Sequence, residues 1–339
     1  MVREAIAAVV SGKNLTEEEA SQVMAEIMSG ECTPSQISAF LVAMRMKGET
    51  VDELTGFARV MREKALKVSC QTPAQLIDTC GTGGDGSNTF NVSTAAAFAA
   101  AAAGAKVAKH GNRSASSRCG SADVLEALGI ELNLTPEQVA KSIDEIGIGF
   151  MFAPLFHPAM KHAAPVRREI GIRTMFNLLG PLVNPAGVTR QVIGVPREDL
   201  VPKIAETLLR LGSEHAMVAF GEPGLDELST VGPSTIAEVK NGRISIRKLD
   251  PTALNLRRAS LSDLNGADAQ HNAKLLSEIL SGTHTSPATD TVALNAAAAL
   301  VVGGVAEDLR HGTELAFEAL RTGAAADKLD ALRKASRKP

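Results

Sequence analysis

The sequence predicts an α/β fold, with a small all-helical domain and a larger α/β domain whose central, mostly parallel sheet is flanked by helices. The first sixty-odd residues carry apolar side chains at helical spacing and no strand pattern. Further along, short apolar runs alternate with helical patterns, as in a doubly wound sheet. The chain has 339 residues. This exceeds the usual length of a domain built around a single hydrophobic core, so two domains are expected.

Three or four short helices are predicted in the N-terminal part. Each of three is opened by a threonine that can cap it: Thr16, Thr33 and Thr50. Thr72-Pro73 marks the change to the α/β part. Packing and oligomerisation is the preferred role for this helical block, and its methionines are interpreted as core filler rather than as chemical groups.

A glycine-rich turn followed by a helix start predicts an anion site. Leu76 and Ile77 form a short predicted strand, and the turn after it holds Gly81, Gly83, Gly84 and Gly86. Glycine allows positive φ and lets a ligand approach the backbone amides closely. Ser93 and Thr94 stand where a helix over residues 95–103 would begin, so hydroxyls and free amides meet there. Taken alone, the turn is a weak signal, for which a flexible connector is the alternative, and it has neither the Walker nor the dinucleotide pattern.

A second loop of the same character follows the next predicted strand, residues 106–109. It reads Lys109-His-Gly-Asn-Arg113 and continues with Ser114-Ala-Ser-Ser117. Because α/β folds bind ligands at the tips of adjacent strands, the two loops together predict one binding site.

The remaining elements are predicted in chain order. They are a helix over 136–146, strands at 147–150 and 191–195, a helix over 200–211, a strand at 215–220, a hairpin-like pair at 236–239 and 244–246, and helices over 293–302 and 305–320. The last stretch, residues 322–339, is basic at its end and is expected to be frayed or solvated.

Two charged motifs are further candidates for the site. Residues 152–181 mix proline, aromatic and basic residues, and Arg167 there fits two-pronged pairing with the carboxylate of a small acid. The alternative is that Arg167 and Arg168 lie on a solvated helix face. Asp226-Glu227 follows a predicted strand, and paired carboxylates near phosphate suit Mg²⁺. Adjacent acids are also common on surface turns, so this motif is weak by itself.

Composition narrows the function classes. The net charge of -3 argues against nucleic-acid binding by bulk electrostatics. The four cysteines form no C-x-x-C pair, so neither a zinc site nor a disulfide framework is indicated. Cys80, in the glycine turn, is interpreted as a small neutral residue rather than a nucleophile. We find no apolar run long enough to span a bilayer and no signal peptide, and we expect a cytoplasmic protein with no membrane partner.

The motifs together resemble the anthranilate phosphoribosyltransferases, which belong to the class III-type family of nucleoside phosphorylases and phosphoribosyltransferases. The resemblance covers essentially the whole chain and rests on these stretches: Asp78-Thr-Cys-Gly-Thr-Gly-Gly-Asp85, Asn91-Val-Ser-Thr94, Lys109-His-Gly-Asn-Arg113, residues 120–129, residues 152–185 and Gly224-Leu-Asp-Glu227. It implies a helical domain over 1–70 with a helical insertion around 164–185, dimerisation of two identical chains through the helical parts, and an α/β domain over 71–163 and 186–339.

The resemblance also implies a reaction and a set of site residues. The reaction is Mg²⁺-dependent transfer of the phosphoribosyl group from phosphoribosyl pyrophosphate (PRPP) to the amine of anthranilate, in tryptophan biosynthesis. PRPP would be held by Gly81, Gly84, Asp85, Thr89, Asn91, Val92, Ser93, Thr94, Lys109, His110, Gly111, Asn112, Arg113, Ser114, Ala115, Ser116, Ser117 and Ser121. Anthranilate would be held by Gly81, Asn112 and Arg167, and two Mg²⁺ ions per subunit by Ser93, Asp226 and Glu227.

No residue stands out in the sequence as a strong general base. His110 is the candidate, and a structural or substrate-lining role for it is equally open. Two other functions compete with the main one. Pyrimidine nucleoside phosphorylases share the architecture, but the full motif set favours a pyrophosphate substrate. A relative that has lost catalysis and binds nucleic acid is disfavoured by the negative net charge and by the intact Arg167 and Asp226-Glu227.

Overall fold

The computed structural model describes residues 1–114 and 118–337. Its α-helices are α1 (Val2–Val10), α2 (Glu17–Ser29), α3 (Pro34–Lys47), α4 (Val51–Lys64), α5 (Val92–Ala102), α6 (Ser121–Ala127), α7 (Pro136–Ile146), α8 (Ala153–Phe156), α9 (Ala164–Ile170), α10 (Phe176–Leu179), α11 (Leu200–Arg210), α12 (Ala269–Leu280), α13 (Pro287–Val302), α14 (Leu309–Arg321) and α15 (Ala324–Ser336). Its strands are β1 (Leu76–Gly81), β2 (Lys106–Gly111), β3 (Ile148–Phe152), β4 (Arg190–Gly194), β5 (His215–Gly221), β6 (Ser234–Lys240) and β7 (Arg243–Leu249). Short 3₁₀ turns lie at Pro73–Gln75, Pro158–His162, Gly180–Val183, Pro251–Leu254 and Leu261–Leu264.

The strands of the described residues form one seven-stranded sheet in the order β3-β2-β1-β4-β5-β6-β7. The five strands from β3 to β5 run parallel, and β6 and β7 add an antiparallel edge. Helices pack against the sheet, and the N-terminal helices precede it. This architecture confirms the predicted fold class.

The sheet places a ligand site between β1 and β4. From β1 the chain moves to one side through β2 and β3, and then returns to the other side of β1 with β4 and β5. The connections that leave the carboxyl ends of β1 and β4 therefore run to opposite sides and open a crevice between them, the position at which open parallel sheets bind ligands.

The predicted caps are present in the helical block. The hydroxyls of Thr16, Thr33 and Thr50 each accept a hydrogen bond from the amide three residues on, and the side chain there reaches back to the amide of the threonine. Satisfying these free amides fixes where each helix begins.

One of these capping boxes is buried. The carboxylate of Glu53 is fully buried and accepts hydrogen bonds from the amide of Leu15 (2.9 Å), the amide of Thr50 (2.8 Å) and Nζ of Lys47 (2.9 Å). The side chain of Lys47 is only 7% exposed. Glu53 therefore ties the loop before α2 to the start of α4 and neutralises a buried ammonium group.

We expect Glu53→Ala to lower the free energy of unfolding by about 3–5 kcal/mol, because it leaves the buried charge of Lys47 unpaired. Glu19→Ala is the matched control, since Glu19 occupies the same capping position in α2 without a lysine partner. Loss of that cap is expected to cost roughly 0.5–2 kcal/mol. Urea unfolding of both variants makes the comparison, and equal losses would contradict the buried ion pair as the cause.

The C-terminal stretch was expected to be frayed, and this expectation was wrong. Residues Ala324–Ser336 form α15, whose side chains Ala325, Leu329 and Leu332 are buried in the main core cluster. Arg333 also donates to the carbonyl of Leu128 at 2.7 Å. The apolar residues recur at helical spacing on one face. The many charged residues between them made the stretch resemble a solvated tail rather than an amphipathic helix.

Of the three core clusters in the described residues, the two larger ones lie on opposite sides of the sheet. One is built largely from α5 and α13, which are rich in alanine and therefore pack closely. The other joins the N-terminal helices to buried residues between positions 163 and 183, and it continues into α11, β4 and β5. The division into 1–70 with 164–185, and 71–163 with 186–339, stays a prediction. Among the described residues, no helix combines the length and the apolar character needed to cross a membrane.

Candidate active site

A cavity of about 610 Å³ opens at the crevice between β1 and β4. It is lined by residues 81–85 of the glycine loop (residues 81–86), the start of α5, the loop after β2, parts of the segment from residue 153 to residue 183, and Asp226-Glu227. The structure thus brings together most of the predicted site residues: Gly81, Gly84, Asp85, Thr89, Asn91, Ser93, Thr94, Lys109, His110, Gly111, Asn112, Arg113, Ser114, Ser121, Arg167, Asp226 and Glu227. Val92 instead has its side chain in the core. Ala115, Ser116 and Ser117 lie outside the described residues.

Two strand-end glycines make room for Asp226. A Cβ at Gly81 would lie 2.0 Å from Oδ2 of Asp226, and one at Gly194 would lie 1.6 Å from its carbonyl oxygen. β1 and β4 are also joined beyond their ends by the amide of Thr82, which donates to the carbonyl of Gly194 at 2.9 Å. Sequence reasoning did not single out Gly194. A glycine inside a strand pattern, which often marks close approach of another backbone, was the available signal.

The two acids are held in place from several sides. The amide of Gly83 donates to Oδ2 of Asp226 at 2.7 Å. The carboxamide of Asn295, on α13, both accepts from the amide of Leu228 (3.0 Å) and donates to its carbonyl (2.9 Å), so the residue after Glu227 is clamped. Asn295 was not found from the sequence, since it lies within a long alanine-rich helix far along the chain.

The acids carry unfavourable negative charge in this position. Burial, reinforced by the neighbouring Asp85, raises the pKa of Asp226 to about 7. Burial and the adjacent Asp226 likewise raise the pKa of Glu227. Burial and like charges destabilise the ionised form of both carboxylates. A cation bound beside them would stabilise that form.

These residues fit a divalent cation that arrives with phosphate. Within residues 1–114 and 118–337, no three side chains of His, Cys, Asp or Glu are grouped closely enough to hold a metal by themselves. Asp226 and Glu227, with the hydroxyl of Ser93 beside them in the cavity, supply oxygen donors for part of a coordination shell. Mg²⁺ commonly binds through one or two carboxylates and completes its shell with water and substrate phosphates.

The start of α5 presents an anion site to the same cavity. Asn91 stands at the cap position of the helix, and its side chain is fixed by donation to the carbonyl of Cys119 (3.2 Å) and by accepting from Asn272 (3.0 Å). The hydroxyl of Thr94 is buried and has no hydrogen-bond partner among the described residues. The positive end of the α5 dipole favours negative charge here.

Lys109 lies beneath the cavity rather than in bulk solvent. Its side chain is only 3% exposed, and its Nζ donates to the carbonyl of Thr79 and lies 3.5 Å from the hydroxyl of Ser93. The buried carboxylate of Asp78 accepts from Asn184 at 2.8 Å and from the amide of His110 at 3.2 Å. Asp78 therefore fixes the backbone that presents Lys109 and His110.

His110 is neutral in this environment. Its Nδ1 lies 3.2 Å from the carbonyl of Gly180 and so carries the proton, while its buried Nε2 has no partner in the described residues. The rings of His110 and His157 are 5.1 Å apart. Burial, together with His157, lowers the pKa of His110 to about 3, and burial lowers that of His157 to about 4. His110 can therefore accept a hydrogen bond at Nε2 but holds a proton there weakly.

We expect turnover at saturating substrate to be independent of the ionisation of His110 between pH 5 and 8, because a pKa of about 3 keeps the ring neutral throughout. His110→Ala should then lower kcat by less than the roughly 100-fold that loss of a general base costs. The measurement is kcat against pH for both proteins. An acidic limb with a midpoint between pH 5 and 7, removed by His110→Ala, would restore the general-base hypothesis.

Arg167 and Arg168 do not share a solvated face. Arg168 is exposed, whereas Arg167 is half-buried and lines the cavity. The guanidinium of Arg167 lies 5.0 Å from the ring centre of Phe176, and burial lowers its pKa. Within the part of the chain that the structure describes, it has no carboxylate partner. A positive charge is therefore held in the cavity wall with its hydrogen-bond donors available.

Arg113 differs from Arg167, since it is already paired. Its guanidinium donates to Asp123 at 2.9 Å and to Glu126 at 2.8 Å. It also stacks over Phe152, at 5.5 Å from the ring centre. Arg113 therefore has fewer free donors for a ligand than Arg167 has.

Comparison with known proteins agrees with this geometry. Residues 73–326 match the glycosyl transferase family, a/b domain, and residues 3–65 match the glycosyl transferase family, helical bundle domain. An anthranilate phosphoribosyltransferase from Geobacter sp. strain M21 is 51% identical over 98% of this chain and 98% of the relative. One from Moorella thermoacetica is 53% identical over 98% of this chain and 97% of the relative.

Solved structures of the same enzyme superpose on the fold. Anthranilate phosphoribosyltransferase from Thermus thermophilus has a TM-score of 0.93 at 44% identity, covering 98% of this chain and 99% of that one. The Saccharomyces cerevisiae enzyme, in complex with PRPP and Mg, has a TM-score of 0.90 at 27% identity, covering 99% and 97%. The same yeast enzyme has also been solved with 4-fluoroanthranilate.

Proposed function

Because the chain belongs to the anthranilate phosphoribosyltransferases of the glycosyl transferase family, we propose that it transfers the phosphoribosyl group of PRPP to the amine of anthranilate. The products are N-(5-phosphoribosyl)anthranilate and pyrophosphate, and the reaction belongs to tryptophan biosynthesis. The observation that carries the proposal is a single cavity with an anion site and paired acids in one part of its wall. Another part of that wall holds Arg167, which has no carboxylate partner among the described residues.

The donor is assigned to the glycine loop, the start of α5 and the loop after β2. The positive end of the α5 dipole, the hydroxyl of Thr94 and the ammonium of Lys109 would bind the phosphate groups of PRPP. Asp226 and Glu227 line the same cavity, and their negative charges would repel pyrophosphate unless a cation bridges them. Asp226, Glu227 and the hydroxyl of Ser93 would hold Mg²⁺, for which we propose two ions per subunit. Mg²⁺, when bound, would offset the charge that develops on pyrophosphate as it leaves.

The acceptor is assigned to the wall that carries Arg167. Its guanidinium would pair with the carboxylate of anthranilate, and Asn112 and Gly81 would border the same position. The chain has no Trp and no Tyr, so contact with the aromatic ring comes from other groups. Phe176, Met160 and Pro181 line this part of the cavity and are suited to that contact.

The chain's own residues would contribute mainly positioning and charge. Lys109 and the loop amides stabilise the departing pyrophosphate, and the ribosyl carbon gains oxocarbenium character as the bond breaks. Arg167 orients the arylamine toward that carbon, and such orientation is worth roughly 7–11 kcal/mol of the barrier for well-placed reactants. The amine loses its proton after the new C–N bond forms, so a strong base is not required. Nε2 of neutral His110 can accept a hydrogen bond from the amine.

Anthranilate fluorescence tests the proposal directly. The protein has no Trp and no Tyr, so its own background is low. We expect the fluorescence to decay only when protein, PRPP and Mg²⁺ are all present. No decay with folded protein, together with phosphorolysis of thymidine or uridine, would contradict the proposal and favour a nucleoside phosphorylase.

We further propose that two copies of the chain associate through the helical block. Three large apolar side chains on the adjacent helices α1 and α3 support this: Val10 is 71% exposed, Met46 83% and Val42 36%. Covering such side chains is a common reason for association. Sedimentation gives the mass in solution, and a monomer at micromolar concentration would contradict the proposal.

A further inference from the structure

Arg173 connects the segment that carries Arg167 to the glycine loop. It follows α9, which contains Arg167 and is capped by Gly171 in the left-handed conformation (φ 68°). Nη2 of Arg173 donates to the carbonyl of Gly83 at 2.7 Å and to that of Thr82 at 3.2 Å. The two contacts cross 90 and 91 residues of chain, so they join parts of the cavity wall that are unrelated in sequence.

The peptide between Thr82 and Gly83 is fixed from both ends. Its carbonyl accepts from Arg173, and its amide donates to Asp226 at 2.7 Å. In a trans peptide the carbonyl and the amide point in opposite directions. The pairing of the next carbonyl, that of Gly83, with Arg173 therefore turns the amide of Gly84 away from the guanidinium.

Because Gly84 has no side chain, the guanidinium of Arg173 can occupy the space beside it. A Cβ on Gly84 would lie 1.5 Å from Nη1 of Arg173 and 2.0 Å from its Cζ. Gly84 also has φ of +79°, which side-chain-bearing residues adopt with strain. The arginine and the glycine are therefore a matched pair, and a side chain at position 84 would displace the contact.

Arg173 has further donors beyond these two bonds. A guanidinium carries five N–H donors in a planar fork, and the residue is half-buried in the cavity wall. The carboxylates of Asp226 and Asp85 act on it electrostatically, yet neither forms an ion pair with it among the described contacts. Its charge is directed at the loop rather than at a paired acid.

We propose that Arg173 is a positioning residue that fixes the glycine loop against the segment carrying Arg167, so that donor and acceptor are bound in one geometry. The inference rests on the proposed function, since it names what the two joined walls hold. Arg173 acts through the loop carbonyls and so through the direction of the loop amides. Its loss should affect PRPP first and leave the recognition of the anthranilate carboxylate to Arg167.

The test compares Arg173→Met with Arg168→Met, which removes an exposed arginine of the same segment. We expect Arg173→Met to raise KM for PRPP by roughly 10–100-fold, because two charge-assisted hydrogen bonds are lost. Calorimetric binding of PRPP with Mg²⁺, measured without anthranilate, should weaken by the same factor. Arg168→Met should match the wild type. If Arg173→Met does not fold, Arg173→Lys is compared with Arg168→Met instead. Lysine keeps the positive charge but lacks the planar set of donors of the guanidinium.

A double-mutant cycle with Gly84→Ala separates positioning from direct ligand binding. If Arg173 acts through the loop, Gly84→Ala alone should reproduce much of the defect, and the double variant should be little worse than either single one. Effects that multiply would overturn the proposal, as would an Arg173→Met protein equal to Arg168→Met. Wild-type turnover is measured first, because its absence counts against the proposed function and not against Arg173.

Discussion

Replacing both acids of the candidate metal site, Asp226→Asn with Glu227→Gln, is expected to lower Mg²⁺-dependent turnover on the order of 10³-fold or more, the scale of losing a main electrostatic stabiliser of the leaving group. The amides keep the shape of the side chains, so the carboxamide introduced at position 226 can still accept from the amide of Gly83. They remove the negative charge that would hold the cation.

The same double substitution is expected to leave folding intact or to strengthen it. Burial raises the pKa of both acids in the folded protein. A carboxyl whose folded pKa lies above its unfolded value is destabilising at any pH where it is ionised, so a neutral amide removes that cost. Unfolding by urea at pH 8 without Mg²⁺ measures this, and it separates lost metal binding from misfolding.

Glu222→Gln is the matched control for the metal site. Glu222 lies in the same loop but is exposed, and its carboxylate is 3.9 Å from Nζ of Lys248. The variant should retain wild-type turnover and an unchanged Mg²⁺ requirement. If the double amide variant kept Mg²⁺-dependent turnover, the assignment of Asp226 and Glu227 as metal ligands would be wrong.

Patterns with a local cause were the predictable ones. Thr16, Thr33 and Thr50 act on amides within their own first turn, so sequence spacing alone located three helices. The alternation of strands and helices likewise predicted the sheet, because a helix between two strands lets them lie parallel in the same sheet. Asp226-Glu227 was weak as an isolated motif and became a candidate site only together with the other motifs.

Groups that act across long stretches of chain were not predictable in the same way. Asn295 clamps Leu228 from 67 residues away, and Arg173 reaches the glycine loop from 90 and 91 residues away. Nothing next to either residue in sequence signals its partner. At Gly194, the sequence pattern predicted the strand. It did not predict that the backbone of Asp226 packs directly against this glycine. Sequence motifs thus indicated which groups line the cavity, and tertiary packing determines which groups hold them in place.

Arg167→Ala is expected to raise KM for anthranilate by roughly 100-fold, because a two-pronged, charge-assisted pairing with the carboxylate is lost in a half-buried position. KM for PRPP should change little, since the guanidinium contacts Phe176 and not the glycine loop. Arg168→Ala, on the exposed side of the same helix, serves as the control and should behave as the wild type.

Aniline, which has the amine of anthranilate without its carboxylate, makes the test specific. In the wild type, kcat/KM for anthranilate should exceed that for aniline by roughly the factor that Arg167→Ala removes, about 100-fold. In Arg167→Ala the two acceptors should become nearly equal, because the group that distinguishes them is gone. If the preference for anthranilate survived in the variant, the carboxylate would be recognised elsewhere. If KM for PRPP rose as much as KM for anthranilate, Arg167 would belong to the donor instead.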